Sequence, residues 1–167
     1  MKVRLSDILE GIEFQTDESR SYLRKSTGEI ALFMNEEISA AEDDKDLSDR
    51  AEWYQEAVAK AKELLENQDD FLDLPSQYEF HEYRIMERFV LSLPVETQRE
   101  ELLDRIKGKG AFSRFKAGLD HFMLLGKWYQ YRDRALREFA IRWCRENGLE
   151  IESERPRHLD GQQETEL

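Results

Sequence analysis

The residue types best suited to chemistry lie in a basic turn at residues 107–116. Gly108 and Gly110 let the backbone turn tightly, and the helix predicted to follow presents unbonded N–H groups at its start. Such N–H groups, together with cationic side chains, bind phosphate or carboxylate groups. The sequence therefore predicts a candidate anion or ligand site formed by Lys107, Lys109, Gly110, Arg114 and Lys116.

The same turn has a purely structural interpretation. The spacing of a Walker phosphate loop is absent, and Gly-Lys-Gly is also typical of an ordinary connection between two helices. Arg134 and Arg137, on the predicted last helix, would extend the basic surface if nucleic acid were the ligand. Both interpretations stay open at the level of sequence.

A second candidate is a buried ion pair between Glu82 and Arg132. At about 100° per residue, Arg132 falls within the apolar stripe of the last helix, where an unpaired guanidinium is costly. Glu82 falls on the apolar side of its own helix and is the first choice of partner, with Asp120 as the second. The alternative is that Arg132 extends to solvent and Glu82 only favours a helix start. A structural pair is favoured over a catalytic one.

No catalytic constellation is found, and the chain is predicted not to be an enzyme. His81 and His121 lack a partner at a diagnostic spacing, and the single cysteine, Cys144, fits a buried and inert thiol. No zinc or calcium pattern is complete, so neither a metal nor a cofactor is predicted.

Charge is divided unevenly along the chain. Residues 1–79 hold 21 acids and 9 bases, whereas residues 105–145 hold 11 bases and 3 acids in a protein of net charge −12. An acidic first half repels phosphate, which argues against a dedicated binder of nucleic acid or membranes. Neither a signal peptide nor a membrane span is predicted, and the expected location is the cytoplasm.

The elements that must position these residues are mainly helical. The pattern predicts a mainly α (α+β) fold, a helical bundle with a small N-terminal β-hairpin at Ser21–Lys25 and Glu29–Met34. It predicts one globular domain over 1–151, with an acidic half (1–79) and a basic helical half (80–151), and a disordered tail at 152–167.

Finer boundaries are also predicted. The acidic run at residues 69–73 is expected to be a solvated connector, a single helix is expected over residues 81–93, and Gly126 is expected to break the last two helices apart.

The chain also resembles an uncharacterised bacterial protein family. The likeness covers most of residues 3–150 and rests on a Gly-Lys-Gly-Ala-Phe-x-Arg-Phe-Lys signature, a Tyr-Leu-x-x-x-Thr-Gly-Glu hairpin, and downstream Trp-Tyr and Trp-Cys pairs. The positions that carry the signature and the pairs are Gly108, Lys109, Gly110, Ala111, Phe112, Arg114, Phe115, Lys116, Trp128, Tyr129 and Trp143. The resemblance supports the domain prediction and implies no reaction, cofactor or ligand.

The favoured function is therefore a non-catalytic interaction or regulatory module of the bacterial cytoplasm. A protein partner or self-association through the opposed charges is expected. Binding of nucleic acid or a phosphorylated ligand through residues 107–116 is the alternative.

Overall fold

The protein is mainly helical and carries a small β-component. The computed structural model describes residues 1–153, which form eight α-helices and five short β-strands. In chain order they are β1 (Lys2–Val3), α1 (Leu5–Glu13), β2 (Ser19–Arg24), β3 (Ile30–Met34), α2 (Asn35–Glu42), α3 (Glu52–Glu66), β4 (Phe71–Asp73), α4 (Gln77–Phe80), α5 (Glu82–Leu91), α6 (Glu96–Arg105), α7 (Ala111–His121), α8 (Leu125–Glu146) and β5 (Glu150–Ile151). The predicted mainly α (α+β) fold with an N-terminal hairpin is confirmed, and the single domain over 1–151 stays a prediction.

The hairpin is part of a three-stranded antiparallel sheet in the order β3-β2-β4. Strand β4 pairs with the free edge of β2, with Tyr22 opposite Asp73. The prediction of a solvated connector at residues 69–73 is therefore wrong. The Asp70 carboxylate accepts hydrogen bonds from the Ser26 backbone and hydroxyl at 2.9 and 2.6 Å, which fixes the acidic run against the hairpin turn.

A second pair of strands joins the two ends of the described chain. Strand β1 lies parallel to β5, with Lys2 opposite Glu150, and the Glu152 N–H donates to the Val3 carbonyl at 2.8 Å. Strands of two residues have no periodic pattern, so the sequence does not predict them. The predicted tail starts at this contact, and from residue 154 it lies outside the described residues.

Three groups of buried side chains hold the elements together. The first is centred on α1 and the C-terminal half of α8, the second on α5, α6, α7 and the start of α8, and the third on β3, α2 and α3. Trp128 is fully buried in the second group, edge-on to both Phe89 and Phe115. Helix α8 therefore contributes buried residues to both the first and the second group.

Two left-handed residues set the helix boundaries that concern function. His81, with φ of 51°, separates α4 from α5, so the predicted helix at 81–93 begins one residue later. Met123, with φ of 55°, separates α7 from α8, and Gly126 lies inside α8 rather than at a break. The Leu124 N–H donates to the Leu119 carbonyl at 2.7 Å, a helix-ending bond that requires the left-handed residue before it.

Candidate functional site

The basic turn between α6 and α7 is closed by Arg114. Gly108 and Gly110 have φ values of 74° and 76°, the left-handed region that favours glycine. The Arg114 Nε donates to the Arg105 carbonyl at 3.2 Å and Nη1 donates to the Lys109 carbonyl at 2.6 Å, while Nη2 donates to the Lys107 carbonyl. The guanidinium thus satisfies carbonyl groups at the end of α6 and in the turn itself.

The other candidate cations of this turn do not converge on one point. Lys107 faces Asp104 at 3.6 Å, and the Lys116 ammonium lies over the Phe112 and Tyr129 rings at 4.7 and 5.7 Å from their centroids. Lys109 is exposed, and Gly110 supplies the N-cap of α7. The turn brings Arg114, Lys109 and Gly110 together through backbone contacts and leaves the two outer lysines on separate surfaces.

The structure places Arg132 and Glu82 in contact. The Arg132 Nε donates to Glu82 Oε1 at 2.6 Å, and Nη1 donates to Glu13 Oε1 at 3.0 Å. Burial alone would lower the pKa of Arg132, but the hydrogen bonds from its guanidinium to Glu82 and Glu13 raise it above its usual value. Helices α1, α5 and α8 are thereby joined by one charged side chain, while Asp120 is not a partner.

A polar cleft of about 830 Å³ lies beside this ion-pair network. It is formed by the loop after α1 and by the α4–α5 junction, and the exposed rings of Tyr78 and Tyr83 stand at its edge. Its charged side chains already have partners inside the protein. The Tyr78 hydroxyl donates to Asp17 at 2.5 Å, and Arg20 pairs with Asp73 at 2.9 Å.

Hydrogen bonds also fix the floor of this cleft. The buried Gln15 amide donates to the Pro75 carbonyl at 2.9 Å and its oxygen accepts from the Ser21 N–H at 3.2 Å. Since Glu82 is held by Arg132, the cleft offers a ligand few unengaged charges. Its polar groups mainly connect the sheet to the helices.

A smaller groove of about 290 Å³ lies between α5 and α8, on the other side of His81, which lines both cavities. Arg84 and Arg88 reach it from α5 and Arg142 reaches it from α8. We call this feature the arginine groove; its apolar lining is Phe80, Ile85, Ala135 and Phe139, and its acids are Glu79 and Glu138.

The arginines of this groove differ from Arg132 in their partners. Within residues 1–153, no ion pair involves Arg84, Arg88 or Arg142. Glu79 is engaged elsewhere, because its carboxylate accepts the Ser76 N–H at 2.6 Å in the cap of α4. The other acid of the lining, Glu138, forms an ion pair with none of the three arginines, so three cations line the groove without an ion pair in the described part of the chain.

Sequence reasoning missed the arginine groove. The spacing of the apolar residues in α5 predicts its buried face and does not reveal what its arginines contact. One signal was present: Arg84 and Arg88 are four residues apart, and no acid stands four residues before or after either of them. The contribution of Arg142 depends on how α5 packs on α8 and could not be read from the chain.

The remaining titratable candidates show no catalytic arrangement. Cys144 is buried, and its burial raises the pKa of the thiol, which disfavours the reactive thiolate. The His121 ring lies 5.1 Å from the Phe122 ring in an edge-on contact. In residues 1–153 no three His, Cys, Asp or Glu side chains group so that they could hold a metal ion.

Comparison with known proteins places the chain in a family. The model of an uncharacterised protein family, UPF0158, matches residues 1–165. The chain belongs to this family. The match confirms the resemblance to an uncharacterised family and covers both the arginine groove and the basic turn. Neither a curated protein nor a solved structure matches the chain.

The helices were also compared with the requirements of a membrane span. Across residues 1–153, no helix is both long enough and apolar enough to cross a bilayer. Helix α8, the longest at 22 residues, carries charged residues along its whole length.

Proposed function

We propose that this UPF0158 protein is a non-catalytic interaction module that binds an acidic segment of a partner protein in the arginine groove. The observation that carries the proposal is the convergence of Arg84, Arg88 and Arg142 around an apolar floor with no ion pair in the described residues. We also propose that the protein acts in the bacterial cytoplasm.

The charge arrangement supports a carboxylate-bearing partner. Like charges four residues apart on a helix destabilise it by about 0.2–0.5 kcal/mol, so the Arg84–Arg88 spacing opposes folding slightly. The guanidinium fork matches a carboxylate with two parallel hydrogen bonds. A partner that supplies carboxylates would remove the repulsion and gain those bonds together.

The groove lining supports a peptide segment over a free anion. Phe80 and Phe139 contact each other with ring centroids 5.5 Å apart and, with Ile85 and Ala135, give the groove an apolar floor. An apolar side chain between two acids would cover this floor while the acids meet the arginines. Aromatic and arginine residues of this kind provide most of the binding energy at protein interfaces.

The alternative of nucleic-acid or phosphorylated-ligand binding through residues 107–116 has less support. The Arg114 guanidinium already donates to three backbone carbonyls, and Lys116 lies over aromatic rings. The net charge of −12 also opposes the approach of a polyanion.

The test uses a fluorescein-labelled peptide of glutamates around a central leucine, with anisotropy measured against the full chain. We expect saturable binding that weakens as salt increases and that falls by at least about tenfold in an Arg84→Ala, Arg88→Ala, Arg142→Ala variant. The matched control is Arg134→Ala, Arg137→Ala, Arg145→Ala, which removes the same charge from exposed sites on α8 outside the groove.

Two results would contradict the proposal. Equal loss in both triple variants would mean that only net charge matters. Binding of labelled single- or double-stranded oligonucleotides, but not of the peptide, would favour the alternative, and loss of that binding in a Lys107→Ala, Lys109→Ala variant would locate it at the basic turn.

A further inference from the structure

Trp53 is a large aromatic side chain that is left exposed on α3. It lies in the first turn of α3 with 69% of its surface exposed, and its aromatic contact is an edge-on approach to Tyr54 at 5.8 Å between centroids. Tryptophan is enriched where a surface binds another protein, because it buries a large area with little loss of side-chain freedom. Its exposure marks α3 as a binding element.

The residues around Trp53 are acidic. Glu52 precedes it and Glu56 lies three residues later, and at about 100° per residue both carboxylates fall on the same side of the ring, with Glu56 nearer to it than Glu52. Both are exposed, and neither takes part in an ion pair within the chain described here. The segment therefore has the chemistry that the arginine groove requires, an apolar anchor with two carboxylates to one side of it.

We infer that the occupant of the arginine groove is a second copy of this chain, which inserts Trp53 with Glu52 and Glu56 beside it. The inference rests on the proposed function, because it names the partner of the same groove. Guanidinium groups bind carboxylates and also stack on indole rings, so the two surfaces complement each other in charge and in the contacts that arginine makes with an aromatic ring.

The size of the groove agrees with a single anchoring side chain. Pockets for drug-sized ligands occupy about 300–1,000 Å³, and the arginine groove, at about 290 Å³, is slightly smaller than that range. It suits one indole ring better than a nucleotide or a large cofactor. The acids on α3 supply the remaining contacts at its edge.

This contact joins two different surfaces, so the assembly is head-to-tail. Each copy has one donor segment on α3 and one acceptor groove between α5 and α8. Association therefore continues beyond two copies unless the rotation that relates successive copies closes a ring. We expect a weight-average molar mass that increases with protein concentration and decreases as the salt concentration is raised.

Mixing two variants tests the inference. The donor variant carries Glu52→Ala, Trp53→Ala and Glu56→Ala, and the acceptor variant carries Arg84→Glu and Arg88→Glu. Each alone is expected to be a monomer in sedimentation velocity, whereas the mixture is expected to form a complex of one copy of each. The acceptor variant offers Trp53 to the intact groove of the donor variant, and no further copy can be added.

Several outcomes overturn the inference. A mixture that stays monomeric while circular dichroism shows both variants folded would do so, as would wild-type protein that remains monomeric at concentrations where the glutamate peptide binds. In that second case the groove binds another protein and the proposed function stands. If the peptide also fails to bind, the proposed function fails as well.

Discussion

Arginines on the same two helices have opposite environments in this protein. Arg132 on α8 is held by Glu82 and Glu13 with 21% of its side chain exposed. The arginine groove is surrounded by Arg84, Arg88 and Arg142, which lie less than four helical turns from Arg132 along α8 or from its partner Glu82 along α5. None of the three takes part in an ion pair within residues 1–153. The first environment stabilises helix packing, and the second leaves charge available to a partner.

His81 marks the boundary between these two regions. It lines both the polar cleft and the arginine groove, and its left-handed backbone redirects the chain between α4 and α5. Residues on the cleft side are satisfied by internal hydrogen bonds. The larger cavity is thus the one whose charges are engaged inside the protein, and the smaller one holds the arginines that form no ion pair in the described residues.

The largest expected effect comes from breaking the Arg132 network. Glu82→Ala leaves a largely buried guanidinium with Glu13 as its remaining partner, and we expect a loss of about 1–3 kcal/mol in the free energy of unfolding. Urea denaturation measures it. Glu87→Ala is the control, since Glu87 is an exposed acid of the same helix; an equal effect in both variants would show that the network contributes no stability of its own.

The next effect concerns the basic turn. Arg114→Ala removes hydrogen bonds to the carbonyls of Arg105, Lys107 and Lys109, and we expect a loss of about 1–2 kcal/mol. Arg114→Lys should restore little of it, because an ammonium group cannot bond three separated carbonyls at once. The melting temperatures of these two variants are compared with that of Lys109→Ala, which serves as the control. An Arg114→Lys variant as stable as wild type would contradict the structural role of the Arg114 guanidinium.

A smaller, pH-dependent effect is expected at the hairpin. Hydrogen bonds from Ser26 and Arg24 to the Asp70 carboxylate hold its pKa below the usual 3.8. A lowered pKa in the folded state means that this carboxylate stabilises the protein above pH 3.8 and loses its contribution as the pH falls through the folded pKa.

Asp70→Asn should therefore lower the melting temperature by a constant amount above pH 3.8, with a difference that shrinks below it. Melting curves of both proteins across the acid range measure this. A difference that grows as the pH falls would have the wrong sign and would refute the role of Asp70.

The smallest effect on stability is expected at the arginine groove. Arg84→Ala, Arg88→Ala, Arg142→Ala should change the free energy of unfolding by no more than about 0.5 kcal/mol, because no internal ion pair in the described chain is lost. Urea denaturation beside the Glu82→Ala variant checks the contrast. A loss as large as that of Glu82→Ala would mean that these arginines are structural.

The features that follow from local pattern were predictable from the sequence. The hairpin and the helices come from period-two and three-to-four-residue spacing, and Arg132 was noticed because a charge fell within an apolar stripe. The excess of bases in residues 105–145 predicts a basic surface, but two of the three arginines that line the groove, Arg84 and Arg88, lie outside that segment.

The features that depend on packing were not predictable. Strand β4 forms because β2 offers an open edge, although its last residue, Asp73, is a poor strand former and Asp69 and Asp70 directly precede it. The sequence predicts Arg114 as a ligand-binding cation, because its spacing cannot reveal that three carbonyls lie within its reach. The arginine groove needs α5 and α8 side by side, which no local pattern encodes.

Stability and binding are best measured together on one groove variant. For Arg84→Ala, Arg88→Ala, Arg142→Ala, we expect an unchanged urea midpoint together with loss of glutamate-peptide binding, while Arg134→Ala, Arg137→Ala, Arg145→Ala retains both. A groove variant that unfolds at lower urea yet binds the peptide as tightly as wild type would show that these arginines stabilise the fold and do not bind a partner.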